Sequence, residues 1–448
     1  MNYSRRLAEF VSSISYSALP ADIRHESKRA TVNYIAVALG GVRNPTVCSL
    51  LDLCAGFSGS ADATVIGSAV RLDPLSAAFM NAVSANVLDF DDTHMPTIMH
   101  PTAIVAPGLF ALAESSQMGG TAFIEAFVAG VETGCRLGAS VSPSHYTRGW
   151  HITATCGIFG AAVACAKVLR LSVEQTANAL GIAASLSSGL VESLSNGAKN
   201  VQIGNAARNG MISALAAQKG LTAAETAIEG PSGWGAASGV MPDPEILFDR
   251  LGDRWELRNN TYKASPCAIV LAPVIDAALM LREMHGVSGE AVAELTVRGN
   301  PLLLLRADRP VVPDEGTARI SIQHGVAAAL HYGAAGIEEF SETVVHRPEI
   351  AALRSRVRAV ADPNVAVDEV YVSARLKDDR VTDVHVPHAR GGLARPLSDD
   401  ELSLKLRGLL RFGAPSLDGR ALLEAAWSLE RLDDVAAIMA MLRPCQPL

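Results

Sequence analysis

Aromatic side chains are scarce in this chain of 448 residues, with Phe, Trp and Tyr together at 5%. Ala and Leu dominate instead, so helix should prevail over strand. No uninterrupted apolar stretch approaches the roughly twenty residues needed to cross a bilayer, and Met1 to Glu9 lacks the apolar core of a secretory signal. That pattern predicts a cytoplasmic protein with no membrane partner. The seven cysteines, Cys48, Cys54, Cys135, Cys156, Cys165, Cys267 and Cys445, are odd in number and lack paired spacing. A disulfide framework or a zinc ribbon is thereby disfavoured, and a reducing compartment fits. There is no long basic run, and the net charge is -8, so nucleic acid is not the expected partner. An acidic chain that binds an acidic ligand must gather its cations locally.

What is present is apolar periodicity. The length suggests two domains, or a large body with a smaller one attached. From Leu7 to about Leu257, apolar residues recur at helical spacing: Ser27 to Leu39, Pro74 to Val87, Pro101 to Glu114, Thr121 to Leu137, Thr153 to Leu169, Ser172 to Ala184 and Asn205 to Gln218. Runs such as Gly157, Gly160, Ala161 and Ala162 read as small residues that let helix backbones approach. After Pro266 the pattern changes. Ala293 to Arg298, Val367 to Leu376 and Val381 to Val386 alternate as strands, with helices expected at Ile320 to Leu330 and Ile350 to Val360. Beyond the Leu397 to Asp400 cap the chain turns helical and amphipathic again, to Leu409 and from Gly419 to Met441. The expected fold is mainly α: a large all-helical domain built from both chain ends, 1–262 and 396–448, plus a smaller α+β domain, 263–395.

Two polar clusters interrupt the helices. Asp89-Phe90-Asp91-Asp92-Thr93-His94 precedes His100-Pro101, which places His100 at the amino end of a helix. There the helix dipole disfavours imidazolium, so a neutral base and a carboxylate-holding helix end coincide. The same residues also read as a solvated loop with a capping His, or as metal ligands at Asp91, Asp92, His94 and His100, although their spacing matches no familiar zinc pattern. The second cluster, Tyr146-Thr147-Arg148-Gly149-Trp150-His151, repeats the arrangement, with an Arg able to clamp a carboxylate. Alternatively His151 is simply packed beside Trp150. Lys199 and Lys263 sit at segment boundaries, where either could equally be a surface lysine.

Together these motifs resemble the MmgE/PrpD family, which includes 2-methylcitrate dehydratase, cis-aconitate decarboxylase and iminodisuccinate epimerase. The resemblance rests on Leu88-Asp-Phe-Asp-Asp-Thr93 with His100-Pro101, Arg148-Gly-Trp-His151 with Thr153, Lys199 leading to Ile203-Gly-Asn-Ala-Ala207, and Lys263 with Pro266-Cys267 and Ile275-Asp276. It implies a homodimer, a cleft between two domains, no cofactor and no metal, and a small anionic polycarboxylate as substrate. It also implies an active site containing Asp89, Thr93, His100, His151, Lys199 and Lys263. Two positions depart from the pattern: Ala272 stands where the family carries His, and His324 where Tyr is common.

The shared step is loss of a proton on the carbon next to a carboxylate. It requires a neutral base and cations around the developing oxyanion. His100 or His151 is the expected base, with the other as acid or oxyanion donor. Lys199, Lys263 and Arg148 would hold carboxylates, with Tyr146 and His324 as further substrate contacts, while Asp89 and Thr93 orient a His or Lys. The departures tilt the expectation slightly toward an epimerase of the iminodisuccinate type. The alternatives are a 2-methylcitrate-type dehydratase or a cis-aconitate-type decarboxylase. Readings from other classes are a metal-dependent hydrolase and a binding protein that has lost catalysis.

Overall fold

The computed structural model describes residues 2–444, and Cys445 lies outside them. The protein is mainly α, with 56% of the chain helical. Two compact units divide it: one runs to Asn260 and resumes at Asp399, and the other is Thr261–Ser398. Among the described residues no helix is long and apolar enough to cross a membrane. The six described cysteines are free thiols.

The first unit, expected to be all-helical, also contains a short antiparallel pair, Ala63–Thr64 with Arg71–Leu72; the rest is largely a stack of helices whose ends follow local chemistry. Pro74–Asn86 starts at Pro74, and the Asp73 side chain accepts from the backbone N–H groups of Leu75 and Ser76. Val173–Leu186 begins with a reciprocal cap between Ser172 and Gln175. Ile152–Val168 lies at the centre and is buried without a break from Ile152 to Ala166, the mark of a helix surrounded by protein. Small residues permit this. A Cβ on Gly130 would lie 2.7 Å from the Gly160 carbonyl oxygen, and one on Gly160 2.6 Å from that of Gly130. The Gly120–Val141 and Ile152–Val168 helices therefore touch backbone to backbone, at a distance any side chain would prevent.

One expected helix is longer than its apolar pattern. Ala198–Gln218 begins seven residues before the expected Asn205, so Lys199 sits in its first turn. Its opening turns carry the polar residues Lys199, Asn200 and Gln202, and apolar periodicity starts only at Ile203.

In the second unit, Val292–Gly299 pairs in parallel with Val357–Ala361 and antiparallel with Val370–Leu376, which in turn pairs with Val381–Val386. Along Val370–Leu376 every second residue is buried: Val370, Val372, Ala374 and Leu376. They share a core with the Ala272–His285 and Ile322–Tyr332 helices. The helix expected at Ile350 to Val360 is a correction. Pro348–Arg354 is helical, but Val357–Ala361 is a strand. Its valines suit either state, and the parallel partner decides it.

The Asp399–Gly413 helix packs on Ala21–Gly41 within the first unit. A Cβ on Gly413 would fall 1.8 Å from the carbonyl oxygen of Leu39, whereas one on Gly408 meets nothing within 4 Å. Gly413→Ala should therefore destabilise the protein by about 2–3 kcal/mol or more, since backbone cannot yield as a side chain does. Gly408→Ala, on the open face of the same helix, should be neutral or stabilising by up to about 1 kcal/mol. Urea unfolding followed by circular dichroism checks the pair, and equal midpoints would contradict the close contact.

Candidate active site

The loop after Pro74–Asn86 turns sharply at Asp89, whose φ of +52° is left-handed, a conformation Asp tolerates better than most residues. The three acids of this loop take different partners. Asp89 Oδ1 pairs with Lys199 Nζ at 3.2 Å. Asp91 accepts from Asn86 Nδ2 at 2.7 Å. Asp92 accepts from the Thr102 hydroxyl at 2.5 Å and from Asn260 Nδ2 at 2.8 Å, while its other oxygen is buried without a hydrogen bond. Burial pushes the Asp92 carboxyl from its ordinary 3.8 to about 6, helped by the negative charge of Asp91 and opposed by the Thr102 and Asn260 bonds.

His100 is held through its ring and through its backbone. Its Nδ1 donates to the Asp92 carbonyl at 2.7 Å, with Thr93 Oγ1 at 3.4 Å and Asp91 Oδ1 at 3.5 Å. Its backbone N–H donates to Thr153 Oγ1 at 3.3 Å, in the first turn of Ile152–Val168. His151 caps that same helix. Its Nδ1 meets Gln202 Oε1 at 2.9 Å, and its backbone N–H donates to the Gly189 carbonyl. Burial drives His151 from 6.5 to about 3; the Gln202 bond works against this, and the charges of Lys199 and His100 work with it. His151 is thus a neutral imidazole whose titration is felt by His100, Lys199 and Asp89.

The structure gathers Asp89, Thr93, His100, His151 and Lys199 through these contacts. Lys263 is buried in the other unit, where it lines a small gap with Ala272, Cys267 and Asp276. Arg148 is exposed, its guanidinium packed over Gly239, and Tyr146 lies half-buried on the short helix Ser144–Thr147. His324, expected as a substrate contact, lies in the other unit as well. It is fully buried within its own unit, where Nε2 donates to the Glu339 carbonyl at 3.0 Å and Nδ1 faces Arg354 at 3.4 Å.

His94 also leaves the set once considered for a metal. Its Nδ1 bonds Thr97 at 2.8 Å and its Nε2 faces Glu256 at 3.1 Å. Burial alone would raise Glu256, but the His94 bond and charge, with Arg254, hold it at about 2. Asp89, Asp91 and His100 each offer a ligand atom within 4.8 Å of one another. Lys199 already supplies positive charge beside Asp89. A cavity of about 770 Å³ opens elsewhere in the first unit, walled by His145, Trp150 and Trp234. No Lys, Arg, Asp or Glu lines it, so it offers no cation to a polyanion.

Two supports escaped the sequence reading. Gln202 lies three residues after Lys199, on the same helical face, and that spacing would have flagged it. Lys405 donates to Asn33 Oδ1 at 2.8 Å and to the Phe90 carbonyl at 2.7 Å, and lies 3.7 Å from the Phe90 ring centroid. No local signal links Lys405 to a loop 315 residues earlier.

Residues 5–246 match the MmgE/PrpD N-terminal domain and residues 265–431 the MmgE/PrpD C-terminal domain. The chain belongs to the MmgE/PrpD family. Cis-aconitate decarboxylase of Mus musculus is 27% identical to it over 453 residues, covering 97% of this chain and 92% of that protein. Cis-aconitate decarboxylase of Homo sapiens is 28% identical over 409 residues, covering 87% and 84%. A cis-aconitate decarboxylase-like protein of Aspergillus oryzae is 26% identical over 471 residues, covering 98% and 97%. The chain is accordingly an enzyme of the MmgE/PrpD type.

The buried imidazoles of this MmgE/PrpD enzyme bear on its stability. Burial lowers His145 to about 4, His151 to about 3 and His324 to about 4, from 6.5. A base depressed in this way contributes stability that is present above 6.5 and lost as pH falls toward the folded value. Asp92 and Glu132, both raised by burial to about 6, act in the opposite sense: their contribution is present below about pH 4 and lost as pH rises through 6. Three large downward shifts outweigh two smaller upward ones, so the urea midpoint should fall as pH drops from 6.5 to 4.5. A flat or rising midpoint across that window would refute neutral burial of these rings.

Proposed function

We propose that this enzyme is a lyase of small polycarboxylates that releases carbon dioxide from cis-aconitate or a close analogue. The observation that carries the proposal is the convergence of two imidazoles, His100 and His151, on the Asp89–Lys199 ion pair. The names of relatives spanning nearly the whole chain support decarboxylation as the outcome. The working form in this reading is a cytoplasmic homodimer, with the mainly helical and α+β units as its two domains.

Cis-aconitate carries three carboxylates and one carbon–carbon double bond. When the bond between the methylene carbon and its carboxylate breaks, the electron pair spreads through the double bond toward the remaining carboxylates. One proton must then reach the far carbon to give carbon dioxide and an unsaturated dicarboxylate. Lys199 neutralises the charge that develops. The proton comes from an imidazole. With His151 depressed to about 3 the empty site holds no spare proton there, but a bound trianion raises the affinity of a nearby ring for a proton. Substrate therefore enters together with a proton from water, and the imidazolium delivers it to carbon. Thr93 and Asp91 hold the His100 ring, and Asp89 aims Lys199.

An epimerase would use the same proton transfers, returning the proton to the opposite face. The names of the matched relatives support decarboxylation instead.

The purified enzyme incubated with cis-aconitate in deuterated buffer and followed by proton NMR should release carbon dioxide and form a deuterium-bearing dicarboxylate. His151→Ala and Lys199→Ala should each lower kcat by about 10²-fold or more. Exchange or inversion of an α-proton in iminodisuccinate, without carbon dioxide release, would overturn the lyase reading in favour of the epimerase.

A further inference from the structure

Gln202 stands one turn after Lys199 on the Ala198–Gln218 helix, and its amide orientation is determined by its neighbours. Its Oε1 accepts from the backbone N–H of Leu190 at 3.1 Å, and its Nε2 donates to the Leu190 carbonyl at 3.3 Å. Rotating the amide by half a turn would set donor against donor and acceptor against acceptor at that main chain. The oxygen is therefore the atom that faces His151 Nδ1 at 2.9 Å. An amide oxygen only accepts, so His151 must carry its proton on Nδ1. Its Nε2 then bears the free lone pair while the ring is neutral.

The loop opposite helps to hold this pair. Gly189 has a φ of +144°, and a Cβ there would lie 3.0 Å from Gln202 Oε1 and 3.5 Å from His151 Cβ. Its carbonyl accepts the His151 backbone N–H at 3.0 Å. Ring, amide and loop fit only with no side chain between them.

We propose that Gln202 is a positioning residue that fixes the Nδ1–H tautomer of His151 and keeps Nε2 as the atom that gains and loses the proton. A neutral amide suits this task. Its oxygen accepts from Nδ1–H whether the ring is neutral or charged, so Nε2 can cycle without the ring turning. A carboxylate in its place would pair with imidazolium and hold the proton on. The role in turnover rests on the lyase reading, whereas the tautomer does not.

The test has two arms. Long-range ¹H–¹⁵N spectra of histidine-labelled enzyme without substrate should show His151 protonated on Nδ1 and bare on Nε2 from pH 5 to 8. The His151→Gln variant assigns the signal, and finding the proton on Nε2 would overturn the proposal. In the second arm, Gln202→Glu should raise the His151 pKa by about 1–3 units and move the pH profile of kcat upward with it. Gln202→Leu should lower kcat by about tenfold or more with KM changed less than kcat. A raised His151 pKa in Gln202→Glu with an unmoved kcat profile would overturn the positioning role. If the unaltered enzyme leaves cis-aconitate untouched, the lyase reading fails while the substrate-free spectra still decide the tautomer.

Discussion

The backbone contact between Gly130 and Gly160 is the constraint on which the site depends. Because neither residue has a side chain, the Ile152–Val168 helix sinks to the centre of its unit and buries its whole circumference. That helix presents His151 as its cap and Thr153 in its first turn, and Thr153 in turn receives the His100 backbone. Two histidines 51 positions apart are thus referred to one rigid element. A helix displaced outward by even a methyl group would carry both anchors with it.

Much of this was legible from residues alone, and the limits of that reading are physical. Apolar periodicity located the helices that bury a face, and the small-residue run at Gly157 to Ala162 read correctly as packing. The same signal missed the start of Ala198–Gln218, because those turns carry polar residues where periodicity expects apolar ones. Val357–Ala361 escaped because its partner strand lies some sixty residues earlier in sequence. Asp89, Thr93, His100, His151 and Lys199 stood out as chemistry-bearing residues at segment ends. What sequence could not reveal was the supporting layer. Asn86, Thr102 and Asn260 are unremarkable as residue types and acquire meaning only through the atoms they meet.

The electrostatic design of the gathered site is economical for an acidic protein. It keeps His151 neutral by burial and leaves Lys199 compensated by Asp89; in the proposed lyase, an arriving anion supplies the negative potential that draws in a proton. Charge is assembled on demand, which limits the cost of holding uncompensated cations in a dry interior.

Lys405 ties the loop carrying Asp89 and Asp91 to a helix encoded more than three hundred residues downstream. During synthesis the loop therefore emerges well before its brace, and no nascent chain shorter than residue 405 can hold Phe90 as the finished protein does.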